Sequence, residues 1–198
     1  MFSLVSFTYI LSCLKDEVIA SGHSDGSIRI WDKNIGKIVG PSLFRHQKSV
    51  SSLTFSPGGR YLVSGSSDFL ENLCLILWDL FTGQTRIIGT NGTYHTDGVN
   101  AVSFSSAGGL LASASDDTTI KIWQLALEPE SNASRKVNDL RTMIDKTSHL
   151  WPEISQNKKL EGVDTCLCVI KQPGIAKAVA WSSDGAQLVS GGKDNKVC

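Results

Sequence analysis

ASASDDTTIKIWQ, at residues 112–124, decides the fold because close variants of it recur along the chain. The variants are ASGHSDGSIRIWD at 20–32, VSGSSDFLENLCLILWD at 63–79 and a shorter VSGGKDNKVC at 189–198. In the stretches at 20–32 and 112–124, a serine, an aspartate and a tryptophan keep the same spacing. Such self-similarity indicates a repeat protein, in which each unit buries its apolar surface against the next unit.

The third repeat shows what one unit contains. Apolar residues dominate 99–104 and 110–115, and serine and glycine lie between them, so this stretch predicts two strands joined by a turn. A tight turn at 116–119 leads to a third strand, IKIW at 120–123. A fourth strand is expected in the segment leading to the next repeat, as in QTRIIG at 84–89. The sequence therefore predicts four-stranded antiparallel sheets.

These motifs resemble those of the WD-repeat family, whose members fold as β-propellers. Residues 31–32 and 78–79 are the Trp-Asp dipeptide of the family, whereas 123–124 is Trp-Gln. The tryptophans recur at close to the roughly 40 to 45 residues of one propeller blade. The resemblance implies an all-β chain, a partial propeller of four-stranded antiparallel blades with a loop or helical insertion. The style of the array is similar to that of fungal WD-repeat proteins.

The repeats predict one incomplete propeller. Its parts are a first repeat with a divergent start at 1–40, a second at 41–90, a third at 91–125, an insertion at 126–163 and a truncated fourth at 164–198. The apolar start FSLVSFTYILSCL lacks a basic residue and an evident cleavage site, so opening strands are expected there rather than a signal peptide. TCLCVIK at 165–171 is expected to be the outer strand of the third unit. Propellers have roughly 4 to 8 complete blades, so the missing blades are expected from a longer chain or from a second copy.

In the WD-repeat family, a histidine, a strand serine, a turn aspartate and the tryptophan form a hydrogen-bonded tetrad within a blade. The resemblance implies that the matching residues of this chain brace its blades from within. They are His46, Ser64, Asp68 and Trp78 in the second repeat; His95, Ser113, Asp117 and Trp123 in the third; Ser21, Asp25 and Trp31 in the first, which has no histidine in register; and Ser190 and Asp194 in the fourth.

The recurring Ser, His and Asp also suggest a second interpretation, a hydrolase triad. Recurrence favours the structural interpretation, because an active site is normally built once. The sequence contains no phosphate-binding loop that ends in Gly-Lys-Ser/Thr and no His-Glu-x-x-His metal motif. We therefore expect no enzymatic activity and no catalytic residue, cofactor or metal.

Individual function is expected where the repeats differ from one another. The second repeat has a longer turn after its aspartate, and Phe69 and Leu70 are either an exposed apolar contact there or part of a bulge that folds back. In the insertion, an amphipathic helix is expected over about 134–148, and Leu150 and Trp151 are candidate anchors of a partner-binding arm. A tolerated loop and a degenerate extra blade are the alternatives for this insertion.

Composition favours an intracellular binding protein. Nineteen basic and nineteen acidic residues balance, so no overall charge attracts nucleic acid or an anionic membrane. The five cysteines are scattered, and we expect small apolar fillers rather than disulfides. The sequence predicts a non-enzymatic scaffold in the cytoplasm, or secondly the nucleus, that binds proteins or peptides through its blade rims. The alternative is an accessory or sensor region of a larger enzyme or signalling NTPase whose catalytic domain lies outside this chain.

Overall fold

The computed structural model describes residues 7–12, 18–68, 74–89, 92–128 and 162–194. Within these ranges the chain forms strands β1 to β15 and no helix. The strands make antiparallel sheets that follow one another in chain order. The predicted all-β fold is therefore confirmed.

The first sheet has a divided outer strand. Its members are β1 (Phe7–Ser12), β2 (Val18–His23), β3 (Ser27–Asp32), β4 (Lys37–Ile38) and β5 (Leu43–Phe44). Both β4 and β5 pair with β3, so they share the fourth position of the sheet. Gly40, at φ 71°, and Pro41, which has no N–H to donate, separate the two pieces. The fourth strand of this repeat therefore forms as two short segments.

The remaining sheets contain four, four and two described strands. The second comprises β6 (Val50–Phe55), β7 (Tyr61–Ser66), β8 (Leu75–Asp79) and β9 (Thr85–Ile87). The third comprises β10 (Val99–Phe104), β11 (Leu110–Ser115), β12 (Thr119–Gln124) and β13 (Thr165–Lys171). The fourth comprises β14 (Ala176–Trp181) and β15 (Leu188–Gly192). Because β13 pairs with β12, the expectation that it is the outer strand of the third unit is confirmed.

The innermost strands β1, β6, β10 and β14 share one irregularity near their first residues. The register shifts between residues 7 and 9, 50 and 52, 99 and 101, and 176 and 178. A bulge of this kind increases strand twist. Its recurrence at the same place shows that the four sheets are copies of one structural unit.

Apolar side chains form a core between each pair of successive sheets. Ile28 and Ile30 of the first sheet pack in one cluster with Leu53 and Trp78 of the second. Two further clusters join the second sheet to the third and the third to the fourth. Burying a side chain of this size contributes about 1.5–3 kcal/mol. Each sheet is therefore stabilised by its neighbours in the stack.

A buried ion pair fixes both ends of the predicted insertion to the second sheet. Arg86 of β9 donates to Asp164 through Nε at 2.9 Å and Nη2 at 2.7 Å, and both side chains are almost fully buried. Arg86 Nη2 also donates to the carbonyl of Ala126 at 3.0 Å. Residues on either side of 129–161 are thus held at one point of β9.

Candidate functional site

The third sheet contains a complete hydrogen-bonded set of the four expected residues. The indole Nε1 of Trp123 donates to Ser113 Oγ at 2.9 Å. His95 Nε2 lies 2.7 Å from the same oxygen, and His95 Nδ1 lies 2.8 Å from Asp117 Oδ2. Because an ionised carboxylate can only accept, Nδ1 carries the imidazole proton and Nε2 accepts from the serine hydroxyl. The donors therefore run in one direction, from indole to hydroxyl to imidazole to carboxylate.

The environment keeps this chain of hydrogen bonds in one protonation state. Burial lowers the pKa of His95 although Asp117 opposes the shift, so the imidazole stays neutral. Burial acts to raise the pKa of Asp117, but hydrogen bonds from His95 and Thr119 outweigh it and hold that pKa well below its ordinary value. Thr119 Oγ1 donates to Asp117 Oδ1 at 2.6 Å. The aspartate is therefore the ionised end of the set.

The second sheet repeats most of this geometry. Trp78 Nε1 donates to Ser64 Oγ at 2.8 Å, and His46 Nε2 lies 2.6 Å from that oxygen. Asp68 Oδ2 accepts from the backbone N–H of Gln47 at 2.8 Å. All four expected side chains of this sheet are buried. The aspartate here holds the loop that carries the histidine.

In the first sheet, a histidine that the sequence analysis missed takes part. Trp31 Nε1 donates to Ser21 Oγ at 2.7 Å, and His23 Nε2 lies 2.9 Å from the same oxygen. His23 comes from the strand itself, two residues beyond the serine, whereas His46 and His95 come from the loop before an innermost strand. Asp25 is exposed, and its Oδ1 accepts from the N–H and hydroxyl of Ser27.

The fourth sheet has glutamine in the histidine position. Gln172 Nε2 donates to Ser190 Oγ at 2.6 Å, and Ser190 is buried. Gln172 precedes β14 by the same interval that separates His46 from β6 and His95 from β10. That interval is a signal from which the sequence analysis could have identified it. Asp194 lies in the turn that follows β15.

The Ser113 hydroxyl is unsuited to nucleophilic attack despite its histidine and aspartate. Its residue is fully buried, and its Oγ is already hydrogen-bonded to the Trp123 indole N–H and to His95 Nε2. A nucleophile must reach the reacting atom at contact distance. The arrangement favours bracing of β11 against β12 over catalysis.

A Gly-x-Ser-x-Gly pattern occurs at 22–26, although the sequence analysis overlooked it. In hydrolases this pattern forms a turn between a strand and a helix that exposes the serine. Here it joins β2 to β3 in a hairpin, and Gly26, at φ 81°, closes the turn. A Cβ on Gly26 would lie 2.3 Å from the backbone oxygen of His46. The glycine therefore serves the close approach of two loops.

The thiols differ in their surroundings. Cys74 is buried, and burial raises the pKa of its thiol to about 11. Cys168, expected to be a buried filler, is exposed, and that expectation is wrong. Among the described residues, no group of three or more His, Cys, Asp or Glu side chains is placed to hold a metal ion. Nor does that part of the chain contain a helix long and apolar enough to cross a bilayer.

Short loops precede the innermost strands of the second, third and fourth sheets, at an edge that we call the upper rim. It is defined by three loop pairs, 47–48, 96–97 and 173–174, and by the starts of β6, β10 and β14. Lys177 Nζ donates there to Asp116 Oδ1 at 2.7 Å and to Asn100 Oδ1 at 2.9 Å. This network joins the third sheet to the fourth.

Four expected partner contacts cannot be placed on this surface. Phe69, Leu70, Leu150 and Trp151 lie outside the described residues. The helix expected over about 134–148 lies outside them as well.

Antiparallel sheets that stack in chain order around recurring serine–tryptophan hydrogen bonds define a β-propeller repeat protein. The family model described as "WD domain, G-beta repeat" matches residues 6–32, 40–79, 89–124 and 164–198. The chain therefore belongs to the WD-repeat family, and the resemblance seen in its sequence is confirmed.

Individual relatives are longer proteins. The chain is 33% identical over 113 residues to the Poly(A)+ RNA export protein of Schizosaccharomyces pombe, an alignment covering 55% of this chain and 30% of that protein. It is 32% identical over 108 residues to Transcription initiation factor TFIID subunit 5 of Caenorhabditis elegans, covering 54% and 15% respectively. It is 30% identical over 185 residues to the Chromatin assembly factor 1 subunit FAS2 homolog of rice, Oryza sativa subsp. japonica, covering 87% and 34%. The matched regions span about a third or less of each relative.

Proposed function

We propose that this chain is a non-enzymatic scaffold that binds protein or peptide partners through the rims of its sheets. One observation carries the proposal: the serines that recur are buried inside the sheets, whereas the rim residues that follow the histidine position differ from sheet to sheet. The loop pair is Gln-Lys at 47–48, Thr-Asp at 96–97 and Pro-Gly at 173–174. Residues that brace every unit alike are structural, so specificity resides in positions that vary.

The chemistry of the upper rim suits a polar partner of mixed charge. Lys48 and Asp97 are both exposed there, in adjacent sheets. Exposed charges of opposite sign contribute orientation and association rate more than raw affinity. We infer a protein surface or peptide with complementary charges rather than nucleic acid or a membrane, because neither sign dominates this rim.

The names of the relatives support a place in larger assemblies. Two of the three described above are named as subunits, one of a transcription initiation factor and one of a chromatin assembly factor. We infer by analogy that this chain works in the cytoplasm or the nucleus as part of a complex. The alternative, an accessory or sensor region of a larger enzyme or signalling NTPase, stays a prediction.

Affinity capture with charge-reversed variants tests the rim. Lys48→Glu changes the upper rim, and Lys37→Glu makes the same change at an exposed lysine on β4. We expect a set of co-purifying proteins that the Lys37→Glu protein retains and the Lys48→Glu protein loses. Thermal melting of both variants controls for folding. Identical captured sets from two equally folded variants would contradict binding at this rim.

A further inference from the structure

Lys121 of β12 is a buried lysine that holds the loop before β10 through two backbone carbonyls. Only 8% of the residue is exposed, and its Nζ donates to the carbonyl of Thr93 at 2.8 Å and to that of Tyr94 at 2.7 Å. The ammonium also lies 5.9 Å from the centre of the Trp123 ring, within the range of a cation–π contact. Lysine is rarely buried unless its charge is paired or hydrogen-bonded. The burial of this lysine therefore depends on the two carbonyls.

The matching position differs from sheet to sheet. The residue paired with the recurring strand serine is Lys121 in the third sheet, Ile76 in the second and Arg29 in the first. Ile76 is fully buried in the apolar cluster between the first and second sheets. Trp78 still donates to Ser64 in that sheet, so an apolar side chain at this position is compatible with the internal bracing. The lysine therefore serves something that the sheets do not share.

The loop that Lys121 holds leads directly to the upper rim. The two carbonyls lie just before His95, and the exposed rim pair at 96–97 follows it. The first N–H of that pair donates to Asp117 Oδ2 at 3.1 Å, and its last carbonyl accepts from Ser115 Oγ at 3.1 Å. The loop is thus fixed on both sides of the histidine. Because all these residues are consecutive, a shift in the first half of the loop moves the rim pair as well.

The second sheet anchors its matching loop in a different way. The bond that follows the histidine is the same, since the Gln47 N–H donates to Asp68 Oδ2 at 2.8 Å. The bond that precedes the histidine differs, because Arg45 of the loop itself donates from Nη1 to Thr85 Oγ1. In the third sheet that loop position is a tyrosine, and Lys121 supplies the basic group from β12. Each of the two rim loops therefore has its own basic anchor ahead of the histidine.

We propose that Lys121 is a positioning residue of the upper rim, which fixes the loop before β10 and so sets where Thr96 and Asp97 meet a protein partner. This inference rests on the proposed binding at the rim, and it adds a buried residue that controls one part of that surface. Lys121 acts through the loop rather than by touching the partner. An ammonium suits this role because its three donors can reach successive carbonyls.

Amide hydrogen exchange, followed residue by residue with NMR, tests the positioning without any partner. In the 198-residue chain, Lys121→Met should speed exchange at the Thr96 amide at least about tenfold, because the released loop leaves Asp117 more often. Exchange at Gln47, which is bonded in the same way in the second sheet, should change by less than about twofold. Lys121→Arg should keep exchange at Thr96 within about threefold of the wild type, because it retains a charged donor.

A matched variant and a wild-type measurement complete this test. Ile76→Met places the same side chain at the matching position of the second sheet and should leave exchange at Gln47 unchanged, because Arg45 holds that loop. Unchanged exchange at Thr96 in Lys121→Met, or equal acceleration at Thr96 and Gln47, overturns the positioning role. If Lys121→Met does not fold, the wild type decides: its Lys121 ammonium protons should exchange slowly enough to be observed, and fast exchange overturns the role equally.

The pKa of His95 gives a readout that a general loss of packing would not imitate. Burial is the main cause that lowers this pKa, the hydrogen bond and charge of Asp117 oppose it, and the charge of Lys121 adds to the lowering. Lys121→Met should therefore raise the pKa of His95, and Lys121→Arg should leave it near the wild-type value. An NMR titration of the imidazole measures both. The same pKa in all three proteins would place the ammonium away from this loop and overturn the proposal.

Affinity capture from a cell lysate separates this role from the proposed function. Asp97→Lys should lose the proteins that bind the rim of the third sheet, and Lys121→Met should lose the same proteins. Their retention by a folded Lys121→Met protein overturns the control of binding. Identical captured sets from the wild type and Asp97→Lys would contradict binding at this loop, and the effect of Lys121 on binding falls with it. Exchange at Thr96 decides the positioning of the loop in either case.

Discussion

The second and third sheets share their strand order and register, yet their outer strands differ in burial. β9, with the sequence TRI, is almost wholly buried, whereas β13, with the more apolar sequence TCLCVIK, is exposed along most of its length. The difference lies in the next sheet: Trp123 and Leu125 cover the second sheet, and no described strand occupies the same position over the third. Burial in this fold is thus a property of the neighbouring unit more than of the strand itself.

Removing the Trp123 side chain, which packs over the second sheet, should cause the largest loss of stability. Trp123→Ala should destabilise the chain by about 5 kcal/mol, because it leaves a cavity over Ile88 and deletes the hydrogen bond to Ser113. Chemical denaturation gives the free energy of unfolding. Trp31 is only half-buried, and Trp31→Ala should cost less. Equal losses in the two variants would show that Trp123 does not act as a cover.

Breaking the buried ion pair between Arg86 and Asp164 should cause the second-largest loss of stability. Arg86→Met should cost about 4 kcal/mol, because the buried Asp164 side chain loses its ion-pair partner. The double variant Arg86→Met with Asp164→Leu should recover much of that loss in the same denaturation experiment. Cys168 occupies the matching position on β13 and is exposed, so Cys168→Ser should change stability by less than about 0.5 kcal/mol. Equal losses of stability in Arg86→Met and Cys168→Ser would contradict the difference in burial between β9 and β13.

Ile88 and Ile170 test most directly whether the outer strands of the second and third sheets differ in burial. Ile88→Ala should cost about 3 kcal/mol, because the site is closed on all sides. The same change at Ile170 should cost less than about 0.5 kcal/mol, because that side chain already meets solvent. Equal destabilisation, measured by urea midpoints with unchanged slopes, would mean that β13 is covered in solution.

The smallest expected effect is a pH dependence of stability. It should come from the third sheet, which has His95 where the fourth sheet has Gln172. The folded-state pKa of His95 is lowered, so its stabilising contribution is complete above its ordinary pKa of about 6.5 and is lost as pH falls toward the folded-state pKa. The loss cannot exceed about 1.4 kcal/mol per pH unit for one group. Melting temperatures at pH 7.5, 6.5 and 5.5 should fall less steeply for His95→Gln than for the wild type.

Glutamine is the informative substitution because Gln172 holds the histidine position in the fourth sheet. The Asp117 contribution, whose folded-state pKa is also lowered, is lost only below about pH 4 and should not disturb this window. Parallel melting curves for the wild type and His95→Gln would show that His95 does not titrate in this range.

Much of the fold follows from local sequence, and most of the buried polar set was implied by the family resemblance. Alternation and turn residues predicted the strands of the third repeat, and the resemblance to the WD-repeat family implied which serines and tryptophans meet. His23 was missed because the expected histidine was sought before the innermost strand, and the one used lies within a strand. The pairing of Arg86 with Asp164 was also missed, because 78 residues separate them and no short pattern connects them.

The sequence by itself predicted the strands and the repeats, because strand alternation, tight turns and repeat spacing depend on residues that are close together in the chain. The tertiary structure alone decided which apolar strand is buried, which carboxylate meets Arg86 and which histidine reaches Ser21. Those outcomes depend on contacts between units, and the same residue type is buried at Ile88 and exposed at Ile170 because the adjoining surfaces differ. Solvent exclusion is set by what packs on a surface, and a single strand carries no information about that partner.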